Sequence, residues 1–351
     1  MNNLDILRAS AVACVFIAHL FRHVLGLDDL AVTTVDELGR LGVLIFFVHT
    51  SLVLLMSLDR TKADRPWLHF YIRRVFRIYP LSITVIVIAL VFRIPFMPDR
   101  VYEWIGLDAV LSNLALAQNL TRSHSVIGPL WSLPYEVQMY VFLPFVHRIL
   151  SANRSVVAAL LVWCWTGLLR VLLLAIGIDV ILIQFMPCFL AGAVAYQIAR
   201  VNRNQLAGYQ LPGYLWPPTI VVLGALHVWL WAEFPALRVL SDYTVCLVLG
   251  LVIPYFNDLG TSILTNASRT IATYSYGIYL FHAPVMWFAF VCVPASLPIR
   301  WAAFAVLSPV IPWLSYHLLE APVVTIGKKI ADRWAQQTAR VMEVAVKAEA
   351  R

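Results

Sequence analysis

The sequence predicts an all-α protein, a polytopic transmembrane bundle of about ten helices. Hydrophobic residues make up 61% of the 351 positions and charged residues only 13%; soluble domains carry about a quarter charged residues. Apolar runs near the roughly 20 residues that span a bilayer recur along the chain. Basic residues gather in alternate connections, as the positive-inside rule requires.

Taken in order, the predicted spans are 5–25, 39–58, 78–94, 131–150, 156–176, 181–200, 215–232, 238–256, 272–293 and 299–318. The stretch 107–120 is also apolar, but Asn113, Gln118 and Asn119 make it too polar to face lipid, so it reads as a re-entrant or loop helix. With the N-terminus inside, Arg60, Lys62, Arg65, Arg73, Arg74, Arg77, Arg148, Arg154, Arg200 and Arg203 all fall on the cytoplasmic side. Only Arg22, Arg40, Arg93, Arg100 and Arg122 fall outside over the same stretch. Ten crossings return the basic tail, Lys328 to Arg351, to the cytoplasm. Both termini are therefore expected there, in a multi-pass protein of the inner (cytoplasmic) membrane.

The first apolar run is long and lacks a small-residue cleavage site, so it is expected to anchor rather than be removed. The organisation expected is a membrane domain over 1–325 and a tail over 326–351. In that tail Ile330, Trp334, Val341 and Val344 alternate with charges, the pattern of an amphipathic helix lying on the membrane surface. The net charge of +7 is explained by orientation and implies no nucleic-acid partner. Cys14, Cys164, Cys188, Cys246 and Cys292 stand singly, without metal-ligand or redox spacing, and read as packing residues. No metal site and no bound cofactor are expected.

Ionisable groups inside spans are costly and are candidates for function. Arg8 and His19 share the first span, 11 residues apart, which places them on one helix face about 16 Å apart. A buried imidazole can take a proton from a hydroxyl near neutral pH. The bland alternative makes Arg8 an interface anchor paired with Asp5 and His19 a satisfied core residue. In Tyr71-Ile-Arg73-Arg74-Val-Phe-Arg77-Ile-Tyr-Pro80, Arg74 and Arg77 are helical neighbours. Guanidinium forks suit phosphate better than lysine does, although a topology signal alone would also place cations here. In Trp131-Ser132-Leu133-Pro134-Tyr135-Glu136, Ser132 can cap a helix whose first turn holds Glu136. Burial by Trp131 and the run through Tyr140 would make that carboxylate costly without a partner. His282 lies in another apolar run, and Glu320 follows the last span; singly, each reads as structural.

Together these motifs resemble the membrane acyltransferase 3 family, whose members O-acylate surface polysaccharides, lipid-linked sugars, peptidoglycan and some macrolides. Arg8 with His19 is similar to the family's arginine–histidine signature, and Arg74-Val-Phe-Arg77 to its paired arginines. Trp131-Ser132-Leu133 with Glu136 and Tyr140, and Tyr276-Gly277-Ile278-Tyr279-Leu280 with His282, are similar to later blocks. The order is the family's own. One departure is His49-Thr50-Ser51 after Phe46-Phe47, where family members commonly carry a Ser-Gly pair. The resemblance implies an O-acyltransferase, most simply an O-acetyltransferase, that moves an acyl group from acetyl-CoA or another acyl-CoA. The acceptor would be a hydroxyl of a cell-surface glycan, lipid-linked sugar or similar carbohydrate. Arg74 and Arg77 would lie near the donor's phosphates, and Arg8 would position donor or helix. His19 would be the base or a transient acyl carrier, and Glu136 would orient the acceptor or assist proton transfer. Trp131, Ser132, Tyr140 and His282 would contact substrate. The competing class is a transporter or flippase for a glycan or small anion, which usually shows two related halves with broken spans; the sequence shows no such halves.

Overall fold

The computed structural model describes residues 1–24, 29–61, 66–153, 155–201 and 210–349. Lys62, Arg65, Arg154, Arg203 and Arg351 lie outside these residues. Each predicted span coincides with a helix. The first three are α1 (Asn2–Val24), α2 (Asp29–Arg60) and α3 (Pro66–Val91); after the short α4 (Leu107–Leu114) come α5 (Leu133–Ala152), α6 (Val156–Ala175), α7 (Met186–Val201), α8 (Trp216–Glu233) and α9 (Arg238–Val252). The chain then runs through α10 (Ile263–Trp287), α11 (Leu297–Ser315) and α12 (Ala321–Glu349). Among the described residues nine helical segments are long and apolar enough to cross a membrane. The α5 helix is outside that nine, carrying Glu136, His147 and Arg148 in its 20 residues, but it has the length of a span.

The polar stretch 107–120 does form a loop helix. It gives one short helix, α4, and then turns, with Leu116 and Arg122 in the left-handed region at φ 52° and 56°. The residues that made it unsuitable for lipid are staples. Asn113 Nδ2 donates to the carbonyls of Ala109 and His124, and its Oδ1 accepts from the Val126 amide. Gln118 Nε2 donates to the Leu130 carbonyl at 2.9 Å, and Asn119 exchanges amide hydrogen bonds with Gln138. These bonds hold the 3₁₀ turn Gly128–Ser132, which delivers Ser132 to the bundle interior.

The core lies where α2 and α7 cross the centre of the bundle, with α1 and α9 packed beside them and α10 against α1. In a membrane the lipid tails are as apolar as leucine, so helices associate through close packing of small residues. Two glycines show it. A Cβ on Gly42 would stand 2.4 Å from the Ala11 carbonyl oxygen, and one on Gly192 would stand 2.2 Å from that of Val48. At the far end of the chain, α11 passes into α12 through a π-helical turn at Tyr316–Glu320. The boundary expected at 325/326 falls inside α12, whose first turns pack against α3.

Valine at Gly192 must push α7 off α2. We expect Gly192→Val to lower stability by about 1–3 kcal/mol, the usual cost of overpacking, read as a fall in the detergent melting temperature. Gly260→Ala, with open space around the new methyl, is the control and should stay within about 0.5 kcal/mol of the parent.

Candidate active site

Two groups of polar side chains within the bundle are joined by Tyr279, which touches both. The first surrounds a chamber of about 100 Å³ whose walls include Arg8, Arg74, Arg77, Glu136, Tyr140 and Tyr279. A wider opening of about 790 Å³ shares Val53, Leu54 and Arg74 with it and is bounded by Met1, Arg60, His69 and Arg73. The chamber thus adjoins the end of the bundle that carries Met1, the last turn of α2 and the first turns of α3.

Within the chamber the arginines differ in partnership. Arg77 is committed to Glu320, a buried carboxylate 3% exposed and presented by the π-helical turn. Arg8 Nε donates to Ser275 Oγ at 2.7 Å, and Ser275 Oγ in turn donates to the Ala272 carbonyl. Pairing of Arg8 with Asp5, considered from the sequence, is not what forms: Asp5 lies 4.0 Å from Arg269 instead. One helical turn separates Asp5 from Arg8, and the two side chains leave α1 toward different neighbours. Arg74 has no carboxylate partner among the described residues. Its Nε is buried without a hydrogen bond, and the guanidinium lies 5.9 Å from the Phe70 ring centroid.

On the α5 side, Tyr140 donates to Glu136 Oε1 at 2.5 Å, one helical turn apart. No cation stands within ion-pair reach of Glu136 among the described residues. Ser132 occupies the N-cap position of α5 yet does not cap it; its hydroxyl is 2.7 Å from that of Tyr279 on α10. The expected cap is lost because the preceding 3₁₀ turn already holds Ser132 in a helical conformation, with φ −86° and ψ −24°. Trp131 is not a chamber residue; it packs against Tyr135 and Phe185, behind the wall. His49 and Thr50, the residues where the family pattern is broken, do line the chamber.

The second group contains His19 and His282, which face each other with His282 Nε2 3.1 Å from His19 Nδ1. The hydrogen bonds fix the tautomers of the neutral pair. His19 Nδ1 lies 2.9 Å from the Val15 carbonyl, and His282 Nδ1 lies 2.7 Å from the Tyr279 carbonyl. Carbonyl oxygens only accept, so both Nδ1 atoms carry the proton. His282 Nε2 is then an acceptor for the shared His19 N–H. What remains is His19 Nε2, a lone pair with no hydrogen-bond partner among the described residues. His23 stacks on His19 with ring centroids 5.8 Å apart, and its Nδ1 stands 2.7 Å from Asp99 Oδ1.

Tyr279 joins the groups. Its hydroxyl meets Ser132 in the chamber, its carbonyl holds His282, and its ring centroid is 6.1 Å from that of His282. Of the residues singled out from sequence, Arg8, Arg74, Arg77, Ser132, Glu136 and Tyr140 meet in the chamber, while His19 and His282 meet beyond it. Tyr279 and His49 were not chosen. A hydroxyl and an imidazole inside apolar runs were the available signals.

An acyltransferase domain family model matches residues 1–317. The chain is 25% identical over 369 aligned positions to a Bacillus subtilis (strain 168) protein named "Putative peptidoglycan O-acetyltransferase YrhL". The alignment covers 94% of this chain and 56% of that relative, so the chain spans little more than half the relative's length. No solved structure matches it. With most of its length matched by one family model, and with a helical membrane bundle around a polar chamber, the chain belongs to the acyltransferase family.

Proposed function

We propose that this protein is an O-acetyltransferase that moves an acetyl group from acetyl-CoA to a hydroxyl of a cell-surface glycan. Peptidoglycan, on which the relative is named to act, is the first acceptor to try. One observation carries the reading. A chamber with an unpartnered guanidinium opens at the basic end of the bundle, and a histidine with a free Nε2 stands beyond its inner end.

The two halves of a transfer reaction have different needs. The donor is a polyanion on a long flexible arm. Arg74, buried and without a carboxylate partner, faces both the chamber and its wide opening, and is suited to hold a phosphate by charge-assisted hydrogen bonds. Arg8 adds positive charge deeper in. Arg77 is already neutralised by Glu320, so its task is to lock α3 to the α11–α12 turn. The thioester carbonyl then reaches toward Ser132 and Tyr279, whose hydroxyls can donate to the oxygen as negative charge develops on it.

The acceptor needs a base. The hydroxyl loses its proton to His19 Nε2 as its oxygen attacks the thioester carbon. The carbon–sulfur bond breaks, and the departing thiolate takes the proton back to leave as the free thiol. His282 positions the base by accepting the Nδ1 proton of His19, the role of a third group that orients a catalytic base. Glu136, fixed by Tyr140, completes the proton-accepting surface of the chamber. In this reading the N-terminal end of the bundle faces the cytoplasm, where acyl-CoA is made, and the protein lies in the inner membrane.

The direct test is transfer itself. Purified protein, labelled acetyl-CoA and peptidoglycan or other glycan fragments are incubated, and the label is located by mass spectrometry. Acetyl esters on the glycan are expected; a label that remains wholly on CoA after exhaustive acceptor screening overturns the reading.

Five outcomes are expected for variants and fusions. His19→Ala should lose about 10²–10⁴-fold in turnover, the range for a lost general base, while remaining folded in the membrane. His282→Gln, which keeps an acceptor, should retain more activity than His282→Leu, with KM values unchanged in both. The two arginines should separate cleanly. Arg74→Ala is expected to raise the KM for acetyl-CoA roughly 10–100-fold, the loss of one charge-assisted bond of about 1.5–3 kcal/mol, with the acceptor KM nearly flat. Arg77→Ala instead strands a buried carboxylate and should cost about 3–5 kcal/mol of stability, seen as a collapse in melting temperature. Reporter fusions after residue 70 and at residue 351 should both give cytoplasmic signals; an extracytoplasmic signal at either breaks the orientation.

A further inference from the structure

Away from the chamber, three ionisable side chains from three helices converge inside the bundle. Glu37 on α2, His227 on α8 and Asp242 on α9 are 4%, 1% and 2% exposed. One ligand atom from each lies within 4.8 Å of the others. His227 Nε2 is 3.9 Å from Glu37 Oε2 and 3.8 Å from Asp242 Oδ1, too far for hydrogen bonds. Both His227 Nε2 and Glu37 Oε2 are buried without any hydrogen-bond partner. Among the described residues two of the three potential ligand atoms thus have no hydrogen-bond partner, and the third, Asp242 Oδ1, accepts from Arg40 Nε at 3.3 Å.

We propose that Glu37, His227 and Asp242 form a binding site for a divalent transition-metal ion of the zinc and manganese class. The spacing fits. With sides of 3.8 and 3.9 Å and a third no longer than 4.8 Å, the point equidistant from the three atoms lies at most about 2.5 Å from each, close to zinc–nitrogen and zinc–oxygen bonds of about 2.0–2.2 Å. One imidazole nitrogen with two carboxylate oxygens suits zinc or manganese; calcium and magnesium prefer oxygen alone.

The surroundings are those a metal ligand set requires. Ligating histidines hold their second nitrogen in a hydrogen bond, and His227 Nδ1 lies 3.0 Å from Ser241 Oγ. Arg40 Nε donates to both oxygens of Asp242, at 3.1 Å to Oδ2 and 3.3 Å to Oδ1, and Oδ1 also faces His227 Nε2. With Arg40 counted, the buried group carries one net negative charge when both carboxylates are ionised, which is costly at this depth unless a cation or proton joins it. The ion would clamp α2, α8 and α9 together. Through α2 it would hold Phe46, Phe47 and His49, which form part of the chamber wall. This site stands whether or not the acyl-transfer reading does.

The test uses the full chain, purified in detergent by a tag without histidines and stripped with chelator. Zinc alone or cobalt alone is added, excess is removed, and bound metal is measured by mass spectrometry together with the cobalt visible spectrum and the melting temperature. We expect one ion per chain, a metal-dependent rise in melting temperature, and loss of both in Glu37→Gln and His227→Gln. Ser241→Ala, which removes only the orienting bond, should weaken binding about 10–100-fold. Should the first two variants fail to fold, His227→Cys keeps a ligand and must show a thiolate-to-cobalt charge-transfer band. No retained ion, or retention equal in parent and variants through an adventitious ion on the other histidines, overturns the proposal. So does a folded His227→Cys protein without that band.

Discussion

A charged or hydrogen-bonding group at bilayer depth has to find its partner within the protein, because lipid offers none. That constraint arranges this bundle. Arg77 reaches Glu320 across 243 residues of sequence, Arg40 reaches Asp242 across 202, and Arg8 reaches Ser275 across 267. Each contact ties an early helix to a late one. What is left over after these pairings is equally informative. Among the described residues, Arg74 Nε, the Nε2 of His19 and the Glu37–His227 gap are polar groups without a hydrogen-bond partner, and the proposals above rest on them.

Much of this was legible in the sequence. Each of the ten predicted spans falls on a helix, nine of them in segments long and apolar enough to cross a membrane among the described residues, and Asn113, Gln118 and Asn119 marked 107–120 as something other than a span. The 11-residue interval from Arg8 to His19 placed both on one face of α1. The pairings between helices were not legible. Which of Arg74 and Arg77 meets Glu320 depends on the rotation of α3 against the π-helical turn, and no local pattern encodes that turn. Likewise His282 is an unremarkable histidine in an apolar run until α10 packs on α1 and sets its ring 4.8 Å from that of His19. Glu37, His227 and Asp242 are separated by up to 205 positions and share no motif.

The division between the two polar groups has a physical basis in the aromatic layer of α10. Tyr276 and Tyr279 stand one turn apart, the first bonded to the Ile78 carbonyl and the second to Ser132. Phe46 closes on Tyr279 from α2, edge to face at 6.0 Å. Rings at these positions supply apolar bulk toward the helices and a hydroxyl toward the chamber, which a leucine could not do. The chamber can therefore be wet at one end and sealed at the other.

That seal bears on the cell as well as on the reaction. Tyr279 stands between the polar chamber and the histidine pair and touches both. Under the proposed function, the Ser132–Tyr279 contact is the barrier between them to protons. In that reading it needs only to part by the width of an acetyl group, far less than a hydrated ion, for a group to pass while the gradient across the bilayer is preserved.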